Sequence, residues 1–82
     1  MSFIWGNLIF IDYMKNLQRV ILLDNGGFTG MESVSCPVEV IADVQGKEVF
    51  VPVDEIYRVG ATGKWRNTQY VWVLGDECEV VQ

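Results

Sequence analysis

Between residues 57 and 72 the chain reads "YRVGATGKWRNTQYVW", which sets the cations Arg58, Lys64 and Arg66 among the rings Tyr57, Trp65 and Tyr70. Cations interleaved with rings suit two kinds of recognition. On a single-stranded nucleic-acid surface, rings stack on bases while ammonium and guanidinium groups neutralise phosphates. At the centre of a protein–protein contact, Trp, Tyr and Arg supply large rigid areas and several donors. A third reading needs no ligand: an ordinary loop between strands, with Trp65 folded back over a core edge. The segment "GATGK" does not make a phosphate cradle. Only two residues separate its glycines, Trp65 follows the lysine, and a strand pattern rather than a helix comes next.

A second glycine-rich stretch, "DNGGFTGMES" (24–33), has the composition of a loop that turns backbone N–H groups toward an anion. The helix that would complete such a site has no counterpart in the residues that follow. A flexible inter-strand loop is the simpler expectation, with Phe28 at its tip either offered to a partner or packed down on the core. The candidate partner-binding residues are therefore Phe28, Tyr57, Arg58, Lys64, Trp65 and Arg66.

The chain offers little to catalysis. It has no histidine and two cysteines, Cys36 and Cys78, so a four-ligand Cys/His zinc site cannot form within one chain. Nucleophiles activated by histidine are excluded on the same ground. Glu77 and Glu79 fall on one face of a strand and have the chemistry to share a hard cation. Solvent-facing acids alternating with Cys78 and Val80 account for the same pattern. We expect no enzymatic activity, no cofactor and no metal. Both cysteines fall in expected strands, where a reduced thiol behaves as a small apolar group.

Charge narrows the partners. Six Lys and Arg against eleven Asp and Glu give a net charge of −5 and a pI near 4.4. Binding to duplex nucleic acid draws on cations that release counterions, and the overall field here opposes such a partner. Half of the 82 residues are apolar and 21% are charged, which argues against disorder. So much apolar side chain in so short a chain exceeds what a small core covers, and the surplus points to a second copy or a protein partner. The expectation is a cytoplasmic interaction module, self-associating or docked on another protein. Single-strand nucleic-acid binding through a 57–70 hairpin is the alternative. A small acidic inhibitor of a host enzyme is the weaker one.

These residues need elements to position them, and the chain supplies short strands. "PVEVIADV" (37–44) puts Val38, Val40, Ala42 and Val44 on one face, the period of a half-buried strand. "QRVILLD" (18–24), "EVFVPV" (48–53), "QYVWVL" (69–74) and "ECEVV" (77–81) read likewise as strands, with a tight reversal at Gln45–Lys47. Pro52 has no N–H for a ladder, so its strand lies at an edge or ends there. "DEIYRV" (54–59) holds at most one helical turn before "YRV" pairs with "QYVWV" as a hairpin. The fold class is mainly β, a five- to six-stranded antiparallel barrel or sandwich. Its element order looks like an SH3-like barrel more than an OB-like one. Residues 1–82 form one small domain, in which the apolar stretch "SFIWGNLIFI" is an extra hairpin or part of an N-terminal extension over 1–13. That stretch is too short to span a membrane and lacks the charged start and cleavage site of a signal peptide.

Overall fold

The computed structural model of the protein describes residues 17–81; the expected hairpin or extension over 1–13 lies outside them. The fold is mainly β. Its strands are β1 (Leu17–Leu22), β2 (Val38–Gln45), β3 (Glu48–Pro52), β4 (Gln69–Val73) and β5 (Cys78–Val80), with one helix, α1 (Val53–Arg58), between β3 and β4. The strands form a single antiparallel sheet in the order β4-β3-β2-β1-β5, curled into a half-barrel that is compatible with either an SH3-like or an OB-like layout.

Alternation of side chains gives the curled sheet its buried face. Val20 and Leu22 of β1, Val40 and Ala42 of β2, Val49 and Val51 of β3, Trp72 of β4 and Cys78 of β5 all point to the concave side and are fully buried. Ile56 of α1 closes the same core, joined by Met31 and Val34 from the loop between β1 and β2. Branched side chains at every second position favour the extended backbone and fill the pleat. The β2–β3 reversal is a two-residue loop, since Gln45 pairs with Glu48, and glycine occupies its first position at φ 63°, as a type II′ turn demands.

The loop between β1 and β2 is not the slack connection that its glycines suggest. It is a run of tight turns in which Phe28 N–H donates to Asn25 O, Met31 N–H to Phe28 O and Val34 N–H to Met31 O. Its Met31 is wholly buried. Cys36 also departs from expectation: it sits in this loop ahead of β2, half-buried, while Cys78 opens β5, and both thiols are free.

The larger correction concerns residues 57–70. There is no hairpin: Tyr57 and Arg58 belong to α1, and β4 pairs with β3 through Phe50↔Val71 and its neighbours. Pro52 ends β3 as expected and sets the helix entry, with φ −63° and ψ 146°. The helix stops in a Schellman arrangement. Gly60 N–H donates to Tyr57 O, Ala61 N–H donates to Ile56 O, and Gly60 takes φ 111°, a conformation that costs only glycine little. The first turn carries Asp54 and Glu55 and the last carries Arg58, each sign matched to the helix dipole.

Candidate interaction surface

Two loops meet at one end of the half-barrel, 23–37 and the segment 59–68 that joins α1 to β4. Thr62 N–H donates to Gly30 O at 2.9 Å, and Ser33 Oγ donates to Gly60 O at 2.6 Å. Gly30 makes this approach feasible. A Cβ there would lie 2.3 Å from Thr62 O and 3.1 Å from the Trp65 ring, at a φ of 101°.

The seam is filled by rings. Phe28 packs on Trp72 (centroids 4.9 Å apart), on Tyr70 (5.4 Å) and on Trp65 (5.8 Å), and Trp65 meets Tyr70 edge-to-face at 4.9 Å. Tilted and T-shaped contacts bring ring edges to ring faces, the arrangement favoured by the aromatic quadrupole. Their polar atoms are engaged too. Trp65 Nε1 donates to Thr62 O at 2.8 Å, and Trp72 Nε1 donates to Asp24 O at 3.3 Å. Tyr70 Oη accepts from Asn67 N–H at 2.8 Å. Tyr57 Oη donates to Gly63 O and accepts from Trp65 N–H, both at 3.0 Å.

The six candidate residues thus divide. Phe28 and Trp65 lie together in the ring cluster, half-buried, and Phe28 is packed down on the core. Tyr57 braces the 59–68 loop from α1 while keeping 44% of its surface exposed. Lys64 and Arg66 are exposed on the same loop, and among the described residues neither joins an ion pair.

Arg58 points elsewhere. Its Nε and Nη2 donate to the Glu55 carboxylate at 2.9 Å, and Nη2 also donates to Glu39 O at 3.0 Å. Glu55 in turn accepts from Ile41 N–H at 2.9 Å. The paired registers explain this arrangement. β3 pairs with β2 only over Asp43–Gln45, which leaves the earlier half of that β2 edge without a strand. Glu55 and Arg58 fill the place with one acceptor and one donor. Arg58 and then Ile41 N–H hold the Glu55 carboxyl below its usual range, against the opposing pull of burial. On the same face Arg19 grips Glu39 through two contacts of 2.8 and 3.1 Å. The sequence signal for this brace was the Glu55–Arg58 spacing of three residues on a helical turn.

A second carboxylate does similar work on β4. Glu77 Oε1 accepts from Val73 N–H at 2.9 Å, and Glu77 N–H donates to Val73 O at 2.9 Å. Glu77 Oε1 is therefore engaged at the end of a strand. Among the described residues no cluster of three or more His, Cys, Asp or Glu could hold a metal ion. The glycine-rich loop likewise offers no anion cradle: the N–H groups of Gly26, Gly27 and Gly30 donate to Asp24, Asn25 and Glu32 side chains.

Besides Lys64 and Arg66, the sheet leaves apolar side chains available. Val71 and Val73 on the outer face of β4 are 36% and 41% exposed, beside half-buried Phe50 on β3, and Ile41 is 40% exposed on β2. Among the described residues no helix is long and apolar enough to cross a membrane. No family model, curated protein or solved structure matches the chain.

Proposed function

We propose that the protein is a small non-enzymatic interaction module that associates with a second copy of itself or docks on a protein partner. The observation behind this reading is the uncovered apolar strip Val71 and Val73 on a strand at the sheet's edge. Isolated exposed valines need no explanation, but two on one edge strand next to Phe50 form a patch that loses water on contact. Light scattering across a concentration series tests it. The expected outcome is a mass above that of one chain, or a complex with a captured protein that shields Val71 and Val73. A strict monomer with no such complex is the contrary result.

Binding of single-stranded nucleic acid is the second reading, supported by Lys64 and Arg66 on one exposed loop. The rings weigh against it, because Trp65 and Tyr70 already pack on one another and on Phe28. Anisotropy with labelled oligonucleotides at two salt concentrations decides between the readings. For the protein-binding reading the expected result is no salt-dependent binding; binding lost in the Lys64→Ala, Trp65→Ala double variant would establish the other.

A further inference from the structure

We propose that two copies of the chain join by antiparallel pairing of β4 with β4 about a two-fold axis near Tyr70. This rests on the self-association reading above and names its surface.

The sheet has few open backbone edges, and most are occupied. Glu55 and Arg58 cover β2 at Ile41 and Glu39. At the start of β5, Gly75 N–H donates to Cys78 O. Glu77 holds both backbone groups of Val73. On the other edge, Val80 of the three-residue β5 also turns its N–H and C=O away from β1 without a partner among the described residues, but it is a single residue. Strand polarity shows that the longer open edge lies on β4. In β4, Leu74 N–H donates toward β3, to Lys47 O, whereas Val73 N–H points away from it. Successive residues alternate in this respect, so Gln69 and Val71 also direct their N–H and C=O outward, and among the described residues these groups have no partner. An antiparallel copy centred on Tyr70 sets Gln69 opposite Val71 of the other copy and Val71 opposite its Gln69, each pair exchanging backbone hydrogen bonds. The grip of Glu77 on Val73 stays intact.

Charge favours a second copy as the occupant. The strand itself, "QYVWV", carries no charge. Lys64 and Arg66 flank its start, and Asp76 and Glu77 flank its end. Antiparallel pairing therefore lays the basic flank of one copy beside the acidic flank of the other. Val71 of each copy, 36% exposed, is covered across the axis.

The test uses Val71→Pro and Val71→Lys in the full chain, with sedimentation velocity over a concentration series. Val71 N–H takes no part in the β3 ladder, so proline removes an intermolecular donor and no internal bond. Lysine places a charge on the edge, as natural sheets do to block pairing. The expected result is a concentration-dependent dimer for the native chain and association weakened by about tenfold or more in the variants, with unchanged far-ultraviolet circular dichroism. If the proline variant does not fold, the lysine variant carries the test. The Val71 amide is also expected to exchange more slowly with solvent as concentration rises. A native chain that stays monomeric overturns the self-association reading and this pairing together. A dimer unaffected by Val71→Lys, with no added protection at Val71, overturns the pairing alone and leaves association to another face.

Discussion

Gly30 shows how one hydrogen in place of a methyl group decides a loop. Its carbonyl receives Thr62 N–H, and the absence of Cβ lets the Thr62 carbonyl approach to where a methyl would sit 2.3 Å away. Gly30→Ala is expected to destabilise the fold by roughly 2 to 3 kcal/mol through combined backbone strain and overlap. Urea unfolding monitored by circular dichroism measures it. Gly27 is the control for the steric part: it also takes a positive φ, but a Cβ there meets nothing within 4 Å. Its alanine variant should cost less.

Cys78 is the second residue whose surroundings set its chemistry. Burial first, then the nearby Glu77 and Asp24 carboxylates, push its thiol up to about 11. The thiolate is the reactive form, so at neutral pH Cys78 should resist alkylation. Cys36, half-buried and raised less far by burial and Asp24, should label first. Mass spectrometry of the native chain after a short maleimide pulse is expected to show one modification on Cys36, with Cys78 labelled only in denaturant.

At the scale of the element, α1 is both a helix and a substitute strand. A carboxyl with a lower pKa in the folded chain than in the unfolded one adds stability above the unfolded value, and the gain disappears as pH falls through the folded value. Glu55, held down by Arg58 and Ile41 N–H from its ordinary 4.5, follows that rule, as does Glu39 beside Arg19. Stability linked to these two groups should be level from neutral pH to about 5 and decline below about 4. Glu55→Ala, which also strands Ile41 N–H, is expected to cost about 1 to 2 kcal/mol at pH 7 and to flatten the acid decline. Glu55→Gln keeps an acceptor for Ile41 and loses the charge, so it should fall between the two in denaturant titrations at pH 7.

The same element shows where sequence reasoning failed. "YRV" consists of residues at home in strands, and a helix of six residues is too short to display a periodic stripe. The stop signal was nevertheless printed in the chain: Gly60, one residue past the cap, is where a Schellman turn places glycine. Read with Pro52 before the helix and acids in its first turn, it marks α1. By contrast β2 was legible in full, because Val38, Val40 and Ala42 alternate with Glu39 and Ile41 over most of a strand with only one face buried.

On the scale of the whole molecule, the antiparallel sheet followed from turn spacing and alternation, whereas the candidate site did not. The contact of Phe28 with Trp65, Tyr70 and Trp72 joins residues that are dozens of positions apart. No local pattern specifies that meeting, which depends on how far the sheet curls. Arg58 was assigned to the basic neighbourhood by proximity in sequence, and the helix turned it to the opposite task of covering β2. The edge position of β4 was equally hidden, since strand order is a property of the assembled sheet. Its uncovered valines are the surface on which the proposed association rests.

The ring cluster at the loop seam also gives the molecule an internal optical gauge. Tyr70 and Trp65 lie 4.9 Å apart on different segments, with Phe28 of the other loop against both. While Phe28 of the one loop stays packed on Trp65 and Tyr70, the coupled transitions of these rings should give a near-ultraviolet dichroic band. Spreading of the two loops would withdraw Phe28 from these rings and alter that band together with the indole emission. Any ligand that parts or tightens the seam would thus report its arrival without a label.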